Sequence, residues 1–105
     1  MKIILIPNYR IIFTTDSKLK LKQFLNYSIT ISFSYYLKTK DKFYNQFSLI
    51  SYNPYMFPKY FSNIKKYKNC RKSFFYKYNI IYKIINNQIK ILDIFHYRSN
   101  YKKVN

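Results

Sequence analysis

The chain has 105 residues and a formal net charge of +17, from 20 Lys and Arg against Asp16, Asp41 and Asp93, with no Glu. That length fits one domain, 1–105, with a modest stability margin, and the charge points to polyanions or an acidic protein partner. A single Cys and a single His exclude an intrachain disulfide and a zinc site built within one chain, so no metal and no cofactor are expected.

The apolar run Ile3 to Ile6 is too short for a secretory leader and meets Pro7. Nothing approaches the roughly 18 apolar residues of a membrane span. The expectation is a cytoplasmic protein without membrane contact. Gly, Ala and Trp are absent, whereas Lys, Asn, Ile, Tyr and Phe abound. An AT-rich coding sequence supplies those residues, so codon supply accounts for part of the charge, although it explains the missing Glu poorly.

In chain order, Lys2-Ile3-Ile4-Leu5-Ile6 reads as a strand ended by Pro7. Ile11-Ile12-Phe13 reads as a second short strand or the approach to a helix, with Asp16 or Ser17 as its N-cap. Leu21, Leu25, Ile29, Phe33 and Leu37 recur every four residues, as on one helix face. Within 28–37, however, Ile29, Ile31, Phe33 and Tyr35 also alternate as in a strand, and both readings stand. Lys38 to Lys42 reads as a charged break. Phe43, Phe47 and Ile50 mark a second helix, ended by Asn53-Pro54 and Pro58.

From Lys65 onward the pattern is β. Lys66 to Phe75 is one candidate strand, and Tyr78 to Ile85 and Gln88 to His96 are two more. Asn86-Asn87 suits a two-residue turn because Asn tolerates positive φ. That turn sets Ile85 opposite Gln88 and Tyr82 opposite Ile91. One face gathers Tyr78, Ile80, Tyr82, Ile84, Ile89, Ile91 and Phe95. Asp93 falls on the same face, so either a bulge re-aims it or it pairs with a basic group such as Arg71. Lys83 and Lys90 stand directly opposite each other, a costly arrangement that an anion or acidic partner would relieve. Residues after Tyr101 read as a frayed tail.

The fold class is therefore α+β: an N-terminal strand, a helical hairpin, then a three-stranded antiparallel sheet. Residues 53–103 carry a more specific pattern. NPYMFPKY is a Pro-rich break, IKKYKNCRK a basic strand, YNIIYKI an aromatic-aliphatic strand, and NN a polar turn. QIKILDIF then closes on HYRSNYKK. This order resembles the RelE/ParE superfamily, the toxins of type II toxin–antitoxin pairs. The resemblance implies growth inhibition through DNA gyrase or ribosome-bound mRNA, held in check by an acidic antitoxin. RelE-like members cleave mRNA, which needs a base for the 2′-OH and cations for the developing charge. Their central-strand Arg corresponds here to Asn79, which carries no charge, so the resemblance to the nuclease branch breaks at that residue. The C-terminal His96 and Arg98 look more like the ParE branch, whose members are described as poisoning gyrase.

The candidate catalytic residues are His96, Arg98 and Arg71. His96 titrates near neutrality, and the Arg fork suits phosphate or carboxylate. The bland alternatives are a strand-end His bonded to a neighbour and an Arg paired with Asp93. Lys65, Lys66, Arg71, Lys72, Lys83, Lys90, Tyr97, Arg98, Lys102 and Lys103 are candidates for target or nucleic-acid binding. Lys68 belongs to the same basic run, with Tyr67 available to stack on bases. The alternative there is a solvated edge strand protected by lysine. Tyr60 and Phe61 are assigned to core packing, with an antitoxin-facing surface as the alternative. Cys70 reads as a small buried hydrophobe. A small basic RNA-binding or ribosome-associated protein, or a degenerate toxin, remains the rival reading.

Overall fold

The computed structural model describes residues 9–98. The predicted strand at Lys2 to Ile6 and the predicted tail beyond Tyr101 lie outside them, as do Lys102 and Lys103. The described elements are β1 (Arg10–Phe13), α1 (Thr15–Ile31), α2 (Phe33–Tyr52), β2 (Lys59–Tyr60), β3 (Cys70–Phe75), β4 (Tyr78–Ile85) and β5 (Gln88–His96), with short 3-10 turns at Pro54–Met56 and Lys65–Tyr67.

The architecture is α+β, but the sheet is not three-stranded. It has five strands in the order β1-β5-β4-β3-β2. The predicted meander forms its centre as β3–β4–β5, but β3 begins at Cys70 rather than Lys66, because Lys65–Tyr67 turns as a 3-10 helix. β1 joins one edge parallel to β5, with Ile11 beside Ile89. β2 joins the other edge antiparallel to β3 and is only two residues long. Neither pairing follows from the alternation of a single segment.

The helical hairpin is placed differently from its expected position. α1 is capped by Thr14, not by Asp16 or Ser17; the Thr14 hydroxyl accepts from the Ser17 amide at 3.1 Å. The helix then ends at Ser32, whose extended backbone separates α1 from α2, and Ser32 Oγ accepts from the Tyr35 amide. One residue thus ends one helix and caps the next. The stretch 28–37 is therefore helical on both sides of a joint, and Lys38 to Lys42 lies inside α2 rather than between helices.

The helices cover one face of the sheet. Phe43, Phe47 and Ile50 of α2 pack with Tyr78, Ile80, Tyr82, Ile89, Ile91 and Ile94, all buried, with Leu21, Phe24 and Leu25 of α1 against them. Aromatic edges lock this layer: Phe43 meets Tyr78 at 4.7 Å and Phe75 at 5.1 Å, and Phe13 meets Phe47 at 5.1 Å. Polar ties are buried with it. Gln46 donates to Ser73 Oγ at 2.6 Å, and the Tyr82 hydroxyl donates to the Pro54 carbonyl.

The β4–β5 register begins as the Asn turn dictates, with Ile85 opposite Gln88, Ile84 opposite Ile89, Lys83 opposite Lys90 and Tyr82 opposite Ile91. It then slips. Ile81 pairs with Asp93, leaving Leu92 as the extra residue of a bulge. The slip turns Asp93 and Phe95 to the second face, reversing their expected positions, and brings Ile94 to the first. β1 has ended at Phe13, so β5 loses its ladder partner at this point. The start of α1 supplies the missing donors: Thr14 N and Ser17 Oγ donate to the Ile91 carbonyl, and Thr14 Oγ1 donates to that of Leu92.

Candidate functional site

The second face of the sheet is covered by a loop rather than a helix. Tyr67, Cys70, Ile81 and Phe95 form a small buried cluster, with Tyr60, Ile64 and Leu92 packed against it. Cys70 is 1% exposed, as its small apolar character implies, and burial pushes its thiol pKa up. The loop is pinned by charge. Asp93, fully buried, accepts from the Tyr67 hydroxyl and from Lys20 Nζ at 2.7 Å. A buried carboxylate needs such partners; the bulge and a basic partner, offered as alternatives, both occur, and the partner is Lys20 rather than Arg71. Tyr67 is 1% exposed, so it holds the loop down and cannot stack on bases.

Around this cluster lies the basic surface. Strand alternation places Lys72, opposite Ile81, and the opposed pair Lys83 and Lys90 on the second face. Phe74 and Ile85 are exposed beside them. Lys65 and Lys66 stand exposed in the loop turn, with Lys66 5.1 Å from the Tyr67 ring centroid. A cleft of about 500 Å³ opens at the β2 edge, lined by Tyr55, Lys59, Tyr60, Phe61, Lys68 and Arg71 among others. Phe61 is 88% exposed at its mouth, which overturns its assignment to the core. Lys59 and Tyr55 were not singled out in the sequence. Their only signal was proximity to the Pro54 and Pro58 breaks.

The three candidate catalytic residues do not converge. Arg71 pairs with Tyr82 and His96 with Tyr78. Four residues along the strands and two strands across put them roughly 16 Å apart. The Arg71 guanidinium is committed to structure: Nη1 donates to the Phe57 carbonyl at 2.6 Å and stacks on Tyr55 at 5.2 Å. It fixes the segment between α2 and β2. Asn79 is buried in the sheet between Phe74 and Phe95, and it supplies no cation.

His96 ends β5 at the far end of the molecule. Its ring meets Tyr78 edge-on at 5.7 Å and Tyr97 at 4.8 Å. Its Nδ1 accepts the Arg98 amide at 3.1 Å, so the neutral ring carries its proton on Nε2. Burial, then Lys77 and Arg98, hold its pKa below the ordinary value. Arg98 Nε donates to the Tyr97 hydroxyl at 2.7 Å. Lys77 and Tyr76 form the β3–β4 turn beside this end, with Tyr76 at φ 55°. Lys77 beside the Tyr35 phenol lowers its pKa, and its Nζ lies 5.3 Å from the Tyr35 ring and 5.0 Å from that of Tyr76. The positions of Lys77 and Tyr35 were not foreseen, because residues 42 apart in sequence meet only through the fold.

Among the described residues, no three His, Cys, Asp or Glu side chains cluster as metal ligands. No helix among them is long and apolar enough to cross a membrane.

No protein-family model matches the chain, and no curated protein matches it significantly. A search of solved structures finds a likeness of fold. A chain of the chromosomal ParDE toxin–antitoxin system from P. aeruginosa aligns with a TM-score of 0.66 at 14% identity, covering 85% of this chain and 96% of that one. The likeness is one of fold, and it runs over most of the chain rather than its C-terminal half alone.

Proposed function

We propose that this chain is the toxin of a type II toxin–antitoxin pair, of the RelE/ParE type, neutralised in the cytoplasm by an acidic antitoxin. The observation that carries this reading is the fold shared with a chain of the ParDE system over 85% of the residues. The +17 charge supports it, since an acidic partner would meet such a surface rapidly. The opposed Lys83 and Lys90 are relieved by carboxylates of that partner.

The working surface is the second face of the sheet with Lys72, Lys83 and Lys90, while Tyr97 and Arg98 stand apart at the far end of β5. Action on DNA gyrase is favoured over cleavage of ribosome-bound mRNA. Phosphodiester cleavage needs a base and cations around one phosphate. His96, Arg98 and Arg71 are not arranged that way, and Asn79 brings no charge. The experiment is induction of the chain alone and together with the product of any short acidic reading frame found beside its gene. Growth should stop in the first case and continue in the second. Unimpeded growth on induction alone would remove the reading and leave a degenerate toxin or a basic RNA-binding protein. The latter would show steeply salt-dependent RNA binding without an acidic partner.

A further inference from the structure

The helical hairpin has an apolar tip that the sheet does not cover. Tyr27, Ile29 and Ile31 of α1 and Phe33 and Leu37 of α2 are 65%, 49%, 53%, 68% and 45% exposed. These include Ile29, Phe33 and Leu37, which the four-residue repeat placed on one helix face. They do not form one stripe. At 100° per residue, Ile29 lies about 160° around α1 from Ile31, whereas Tyr27 lies near Ile31. A single docked helix covers one side, so the occupant must surround the tip.

Charge and depth identify that occupant. From Gln23 to Leu37 the chain carries no charged residue. Measured from the joint at Ser32, at about 1.5 Å per residue, the exposed apolar side chains lie within about 7.5 Å. Lys38, Lys40, Lys42 and Lys22 follow at about 9 to 15 Å, with Asp41 as the acid at that level. An apolar end of this depth with a lysine collar matches the headgroup and acyl boundary of an anionic bilayer, which accepts roughly 5 to 10 Å of apolar surface. A second copy of the chain is disfavoured by self-repulsion at +17.

We infer that the tip of the α1–α2 hairpin docks on an anionic lipid surface, with Ile31 and Phe33 in the acyl boundary and the lysine collar at the phosphates. The lack of a spanning helix among the described residues concerns crossing only, and surface docking departs from the sequence expectation of no membrane contact. The inference is independent of the toxin reading.

The chain has no Trp, so Phe33→Trp is a single reporter at the tip and Phe74→Trp a matched one on the sheet. Each full-length variant is titrated with vesicles of phosphatidylglycerol and phosphatidylcholine, 1:1 as a design choice (about half anionic). The Phe33→Trp emission should move to shorter wavelength and that of Phe74→Trp should stay. The double substitution Ile31→Ser/Phe33→Ser should weaken co-sedimentation at least about tenfold while leaving the melting curve in place. If that pair fails to fold, the emission of Phe33→Trp decides alone. An unshifted Phe33→Trp emission on bound vesicles, meaning adsorption by charge only, would overturn the inference. So would a shift at Phe74→Trp instead, or no vesicle binding with the tip captured by an acidic protein.

Discussion

The two faces of the sheet are built from similar strands and buried by different means. The first face is closed by α1 and α2 and holds nine buried residues in one cluster. The second is closed by a loop without a helix, over four buried residues, and held by the Tyr67–Asp93–Lys20 network. The first face spends its residues on stability. The second keeps lysines, exposed aromatics and a cleft at the surface, where a partner or target can reach them. A face closed by polar ties over a small cluster opens more readily than one closed by interlocked aromatics.

Substitutions can break this contrast, and the largest effect belongs to the first face. Ile80→Ala removes a fully buried side chain and should cost about 3 to 4 kcal/mol in denaturant unfolding. Tyr67→Phe keeps the ring and removes one donor to the buried carboxylate. It should cost about 2 kcal/mol and speed hydrogen exchange in residues 61–69 before the core exchanges. Equal costs for the two substitutions would make the faces equivalent and end the comparison.

A smaller effect of opposite sign sharpens it. Lys90→Glu converts the like-charged pair with Lys83 into an attractive one and should stabilise by about 0.5 kcal/mol. Under the proposed function it should also weaken antitoxin binding, because the basic patch would then serve the partner and not the fold. A Lys90→Glu chain that is both less stable and fully bound would contradict that division.

The smallest expected effect is a pH slope at the His96 end. Its folded pKa is lowered below the ordinary 6.5, chiefly by burial and then by Lys77 and Arg98. The unfolded chain therefore binds the proton more readily. The penalty is absent well above pH 6.5, grows as pH falls through that value, and levels off below the folded pKa. Thermal melting should weaken over that window in the wild type. The part of the slope due to His96 should vanish in His96→Asn.

Legibility in the sequence followed the range of the interaction. The β4–β5 register was readable at its turn because alternation and Asn86-Asn87 are local signals. The bulge was readable only as one of two alternatives, since Ile80, Tyr82 and Ile91 alternate without announcing a slip. What decides it is Tyr67 and Lys20, which reach Asp93 from 26 and 73 residues away. The joint at Ser32 was hidden by a four-residue repeat that runs straight across it. The two added strand pairings were hidden because β2 is two residues long and the β1–β5 pairing joins distant segments. For the site, residue types were legible and convergence was not. Lys72, Lys83 and Lys90 share a face as alternation implies, whereas Arg71 is turned to backbone carbonyls by a contact that composition cannot show.

The central claim is that the second face is the working surface of a toxin. Growth after induction of the wild type is compared with growth after induction of Lys72→Glu/Lys83→Glu/Lys90→Glu, at matched protein amount and melting temperature. The account predicts arrest by the wild type and near-normal growth with the triple variant. Equal growth in the two cultures, whether arrested or free, would contradict it.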